Sequence, residues 1–121
     1  MRDAPTCPDC GRINDVLSRV GDRWSLLVTI TLAQYGTMRF NALKRHLGIS
    51  QRMLSLTLRG LERDGLVRRE QFPTIPPRVD YSLTALGQSF QDPVRAMGAW
   101  ALANLDEIDA ARARFDASQA P

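Results

Sequence analysis

Arg52, Ser55 and Arg59 recur at steps of three and four residues, the spacing that brings side chains to one face of a helix. Arginine carries a planar fork of donors that fits the O6 and N7 edge of guanine, and a serine hydroxyl both donates and accepts. A helix offering this set near its start has the chemistry to read base edges in the major groove of duplex DNA. Arg63 lies a turn later and suits a phosphate contact, which positions a protein without carrying sequence information. Arg39, Lys44, Ser50 and Gln51 lead up to or open this segment, and Arg78 follows it, with Arg68 and Arg69 behind it. Together Arg39, Lys44, Ser50, Gln51, Arg52, Ser55, Arg59, Arg63 and Arg78 form the candidate DNA-binding set. Leu56 falls on the same face, where it either touches a thymine methyl or rests half-covered against a neighbouring helix.

Charge supports this placement. Residues 39–78 hold nine basic and three acidic side chains, whereas residues 79–121 hold three basic and six acidic ones. Net charge is only +3, so the positive surplus is local, as expected where one face of a domain meets phosphates. Catalysis finds no comparable support. His46 is the only histidine and has no acid or nucleophile at a recognisable spacing, and no phosphate-cradling glycine loop or paired-carboxylate motif appears. Cys7-Pro8-Asp9-Cys10 supplies two thiols where a structural zinc site normally takes four Cys or His ligands, so no metal or other cofactor is expected within one subunit, a dimer that pools two such pairs being the alternative.

The elements that must position these residues follow from periodicity and caps. The chain has 121 residues with 44% hydrophobic and 24% charged side chains, which fits one globular domain with a real core. Residues 1–9 read as a flexible segment. Ile13, Val16, Leu17 and Val20 predict a short helix over about 12–20, and Asp22 caps a second one from Arg23 to about Tyr35 that is apolar on nearly every side. A third helix is predicted from about Arg39 to His46 and ends at Gly48. Ser50 caps a fourth over 51–64, with Leu54, Leu58 and Leu61 within about 60° of one another and the arginines opposite.

Leu66–Phe72 and Val79–Leu83 read as two strands of a ribbon whose connecting loop contains Pro73, Pro76 and Pro77 and is therefore stiff. Thr84 caps a last helical region to about 115, which Pro93 should kink or break near its first third. Residues 116–121 are expected to fray. The expected organisation is thus one domain over 10–115, with a core at about 22–84.

Three helices, a basic helix, a strand, a stiff loop, a second strand and a long helical region make up the plan of a winged helix-turn-helix. The fold class is mainly α with a small antiparallel β-ribbon, flanked by N- and C-terminal helices at about 12–20 and 85–115. The apolar stripe from Phe90 to Ile108 exceeds what so small a core needs, which suits an interface, with docking on the same subunit as the alternative.

Four strings then carry a resemblance: Gly21-Asp22-Arg23-Trp24, Met38–Leu43, Ile49–Leu54 with Leu58–Val67, and Pro76–Thr84. In this order and spacing they resemble the HxlR family of bacterial transcriptional regulators, relatives of the MarR type, over residues from about 10 to 102. The resemblance implies a homodimer, with N- and C-terminal dimerisation helices at about 12–20 and 85–115, that binds a palindromic operator at promoters, as repressor or activator. It further implies that the helix after Ile49-Ser50-Gln51 enters the major groove and that the Pro-rich loop is a wing. Two-fold symmetry would set the two reading helices roughly 34 Å apart.

Many such relatives carry one cysteine just before the first helix, and some sense electrophiles or oxidants through it. Cys10 is the better positional match and Cys7 an addition, so both are candidate redox-sensing residues. A thiol at a helix start near Arg12 has its thiolate favoured by backbone N–H groups and positive charge. A disulfide from Cys10, to Cys7 or to the partner subunit, would shift the first helix; packing as a small apolar residue is the alternative. A second candidate effector is an aromatic small molecule near Trp24, Tyr35, Phe90 or Trp100. The rival to the DNA reading is a winged-helix protein-interaction module without specific DNA binding. No run of roughly 18 apolar residues and no apolar leader is present, so the expected location is the cytoplasm, with no membrane partner.

Overall fold

The computed structural model describes residues 8–120. Its elements run α1 (Cys10–Val20), α2 (Arg23–Tyr35), β1 (Met38–Arg39), α3 (Phe40–Leu47), α4 (Gln51–Arg63), β2 (Val67–Phe72), β3 (Arg78–Leu83), α5 (Ala85–Ser89), α6 (Gln91–Ala103) and α7 (Leu105–Gln119). It is mainly helical, with a small antiparallel sheet.

Local chemistry fixes the helices that matter. The Asp22 carboxylate accepts the N–H of Ser25 at 3.1 Å and starts α2. The Ser50 hydroxyl accepts the N–H of Met53 at 3.1 Å and starts α4. Each cap satisfies one of the donors that a first turn leaves open. Between α3 and α4 the chain turns through Gly48, whose φ of 64° lies in the left-handed region, and its N–H closes on the Lys44 carbonyl at 2.9 Å. Ile49, the next residue, is buried and pins the turn to the core.

That core joins α2, α3, α4 and the sheet. Val28, Leu32, Leu43, Ile49, Leu54, Leu58, Leu61, Leu66, Val67 and Tyr81 form one buried cluster, with Trp24, Phe40, Leu83 and Phe90 packed against it. Each fully buried leucine contributes about 1.5–3 kcal/mol relative to exposure. Thr29 and Thr31 are buried inside α2 without cost in lost hydrogen bonds, because their hydroxyls donate to the Leu26 and Leu27 carbonyls at 3.0 and 2.8 Å.

The sheet has three strands in the order β1-β3-β2, one more than the expected ribbon. β1 pairs Met38 with Tyr81 and Arg39 with Asp80, so α3 begins at Phe40 and not at Arg39. Two residues are too few to show an alternating pattern, and their partner lies some forty positions away. β2 and β3 run from Val67↔Leu83 to Phe72↔Arg78, which adds Arg78 to the predicted second strand.

The described chain forms two compact units, one ending at Gln91 and the other beginning at Asp92, where the sequence suggested one domain over 10–115. In the second unit, α6 and α7 meet at Asn104, whose side-chain amide donates to the Trp100 carbonyl at 2.8 Å. The helical break falls at Phe90, three residues before Pro93. Pro93 thereby sits in the first turn of α6, where a missing N–H costs nothing. α7 continues through Gln119, past residue 115 where fraying was expected. Alanines at 110, 111, 113 and 117 favour the helix, and Asp106 and Glu107 in its first turn oppose the dipole.

Candidate nucleic-acid interface

α4 has two unlike sides. Leu54, Thr57, Leu58, Gly60 and Leu61 are buried. Gln51, Arg52, Leu56, Arg59, Glu62 and Arg63 are exposed, and Ser55 is half-buried beside them. At 100° per residue, Arg52, Leu56, Arg59 and Arg63 fall within about 60° of one another, and Ser55 lies about 60° to one side of Arg52. Arg52 and Arg59 are about 10 Å apart along the axis at 1.5 Å per residue, close to the width of a major groove. Neither has an ion pair among the described residues, so both guanidinium forks keep their donors for an incoming acceptor. Arg63 Nη1 lies 3.9 Å from Asp64 Oδ1, a loose approach with the Arg63 side chain 80% exposed.

Ser50 is spent differently from Arg52. Its hydroxyl is committed to the α4 cap, so it fixes where the helix begins. Gln51, the first residue of the helix, is exposed beside it.

A groove of about 640 Å³ separates the start of α3 from the β2–β3 loop. Arg39, Asn41 and Arg45 line one side, Thr74 to Val79 the other, and no acidic residue faces it among the described residues. Arg39 and Arg45 are exposed, while Lys44 is half-buried on the same helix. Asn41 and Arg45 are absent from the sequence-derived candidate set. Their polarity was visible in the chain, but the groove exists only because β1 pairs with β3 and carries residue 39 to residue 80.

Arg78 is placed at the base of the loop and not at its tip. Its guanidinium carbon stacks 4.1 Å from the Phe72 ring centroid, and Nε lies 3.4 Å from Asp80 Oδ1. Those two atoms are buried and lack a well-formed hydrogen bond, so the pair is held by charge and stacking. The loop tip is apolar, with Ile75 fully exposed between Thr74 and a cis-linked Pro76. Arg68 lies 3.7 Å from Glu70, and Arg69 donates to Gln71 at 3.4 Å.

Elsewhere, His46 meets the edge of Tyr35 with centroids 5.0 Å apart. Trp24 and Phe90 belong to the packing around the core, and Trp100 is 63% exposed on α6. Cys10 is the first residue of α1 and is not free; Cys7 lies outside the described residues. Among the described residues no group of three His, Cys, Asp or Glu side chains is arranged to hold a metal ion, and no helix is long and apolar enough to cross a membrane. The arrangement offers a convex, cationic helix face on a packed support, which is equipment for surface recognition.

Comparison with known proteins agrees with this architecture. The HTH-type transcriptional regulator YtfH of Escherichia coli K12 is 40% identical over 110 residues, covering 90% of this chain and 83% of its own. The solved structure of ytfH from Salmonella typhimurium superimposes with a TM-score of 0.73 at 41% identity, over 82% of this chain and 88% of that one. The redox regulator HypR in its reduced form gives a TM-score of 0.73 at 36% identity, over 82% of this chain and 98% of its own. The HxlR-like helix-turn-helix pattern matches residues 19–109. A core of α2, α3 and α4 from which capped α4 turns an arginine face outward, a small three-stranded sheet and this span of family similarity together mean that the chain belongs to the HxlR family of helix-turn-helix transcriptional regulators.

Proposed function

We propose that the protein binds double-stranded DNA sequence-specifically as a homodimer on an inverted-repeat operator. α4 enters the major groove, with Arg52, Ser55 and Arg59 reading bases and Gln51 and Arg63 at the flanks of that face. Arg39, Lys44 and Arg45 meet the backbone along the groove between α3 and the wing. The observation that carries this reading is the exposed Arg52/Arg59 stripe on a helix whose other side is locked by Leu54, Leu58 and Leu61. A reader must be rigid before it can discriminate, because each base contact is worth only about 1–3 kcal/mol.

Homodimerisation is supported by surface that a lone subunit leaves wet. Ile13, Val16 and Leu17 on α1 are 50%, 57% and 60% exposed, and Met97, Trp100, Leu102, Leu105 and Phe115 on α6 and α7 are exposed as well. Exposed apolar side chains at helical spacing on α1, and separately on the C-terminal helices, support an interaction site on each. HypR is named a redox regulator, and Cys10 stands at the head of α1, so thiol oxidation is the form of control that we favour.

Selection from a random-sequence duplex library, followed by titration at several salt concentrations, tests the DNA reading. Enrichment of an inverted repeat and a steep fall of affinity with salt are expected. Absence of binding at low salt would favour a protein-contact role. Oxidant-dependent release from the selected duplex should disappear in Cys10→Ser; full release in that variant would remove the thiol control.

A further inference from the structure

The last turn of α1 reaches the far end of α4 through one side chain. Arg19 Nε donates to Asp64 Oδ2 at 2.9 Å, between residues 45 positions apart, with both side chains about one-third exposed. Asp64 is the C-cap of α4, its N–H accepted by the carbonyls of Gly60 and Glu62. The guanidinium lies on the bare backbone of Gly60, where a Cβ would collide with Arg19 Nη1 and Cζ. Glycine within a helix is unfavourable relative to alanine, so its place at 60 makes sense as the seat of this guanidinium. The other oxygen of the same carboxylate, Oδ1, is the one 3.9 Å from Arg63 Nη1. Asp64 therefore stands between two arginines, one on α1 and one on the exposed face of α4.

We infer that Arg19 is a positioning residue for DNA binding, occupying Asp64 so that Arg63 stays free to meet a phosphate. This rests on the DNA reading above. Without Arg19, the carboxylate that lies 3.9 Å from Arg63 loses its close partner and draws the Arg63 guanidinium inward, off the binding face. Displacement of the last turn of α1 from Gly60 does the same, which makes the pair a route by which events on α1 reach the interface.

The test uses the full chain, a duplex enriched from the random library by the wild type, and affinity measured across a salt series. Arg19→Gln should weaken binding roughly fivefold at physiological salt and lower the salt slope by about one, the signature of one lost phosphate contact. Arg19→Gln with Asp64→Asn should restore both, since no carboxylate is left to capture Arg63. A merely structural link would leave that double variant at least as impaired as the single one, and this outcome overturns the proposal. Unchanged affinity in Arg19→Gln overturns it equally. Gly60→Ala gives an independent route: it displaces the guanidinium while improving helix propensity, so affinity should fall with no loss of melting temperature. Unaltered affinity in Gly60→Ala also overturns the proposal. If the wild type enriches no duplex and binds none at low salt, the DNA reading fails and the role of Arg19 with it.

Discussion

Arg59 and Arg78 are both basic and both belong to the candidate set, yet their surroundings assign them different consequences. Arg59 is exposed and without an ion pair among the described residues, so its donors are worth more in a complex than in the free protein. Arg59→Ala should weaken the selected duplex by about 1–3 kcal/mol and relax discrimination at one base position, read by competition with single-base variants. Folding stability should stay within about 0.5 kcal/mol of wild type, as for surface substitutions generally. Arg78 is one-third exposed, stacked on Phe72, and the counter-charge of Asp80, whose side chain is only 16% exposed. Arg78→Ala removes the stack and leaves a half-buried carboxylate alone. It should lower unfolding free energy by about 1–3 kcal/mol in urea, before any effect on DNA is considered. Asp80→Asn in the same background should recover part of that loss, because the stranded charge is gone.

At the scale of the element, stability of α4 depends on two short-range devices. Ser50→Ala removes the acceptor for Met53 N–H and should cost about 1 kcal/mol, measured by the denaturant midpoint with an unchanged slope. Gly48 holds φ at 64°, so Gly48→Ala forces a side chain into the left-handed region and should cost about 1–2 kcal/mol although nothing lies near its Cβ. Both devices are local, and that explains which parts of the fold the sequence discloses. The starts of α2 and α4 were legible because Asp22 and Ser50 each act within three residues. The split of α4 into a leucine side and an arginine side was legible because helical periodicity repeats within its own 13 residues. β1 was not, since Met38 and Arg39 become a strand only by pairing with Tyr81 and Asp80. The same pairing builds the groove holding Asn41 and Arg45, so those residues escaped along with the strand. Arg78 was found as a basic residue, but its stacking depends on the hairpin register Phe72↔Arg78, and its partner Asp80 lies on the same strand two residues on. Charge type can be read along the chain; whether a charge is already spent requires knowing which strands are neighbours.

For the whole molecule the question is what covers α1 and the C-terminal helices. No residue of α1 is buried, yet Ile13, Val16 and Leu17 lie on one side at helical spacing, an arrangement that water alone does not reward. In the homodimer proposed above, a second copy would supply both the missing apolar partner and the symmetry that an inverted repeat requires. Association of this kind ties folding to concentration, because a partner that binds only the native state shifts unfolding by mass action. The melting temperature should therefore rise with protein concentration, and sedimentation should give a mass twice that of the 13.5 kDa chain. Leu17→Asp, placed on the exposed side of α1, should convert the protein to a folded monomer whose melting point no longer depends on concentration. On DNA that monomer should bind a single half-site about as well as an intact inverted repeat, whereas the wild type should prefer the repeat by several orders of magnitude. Equal preference in the two proteins would place the reading of symmetry elsewhere than in association through α1.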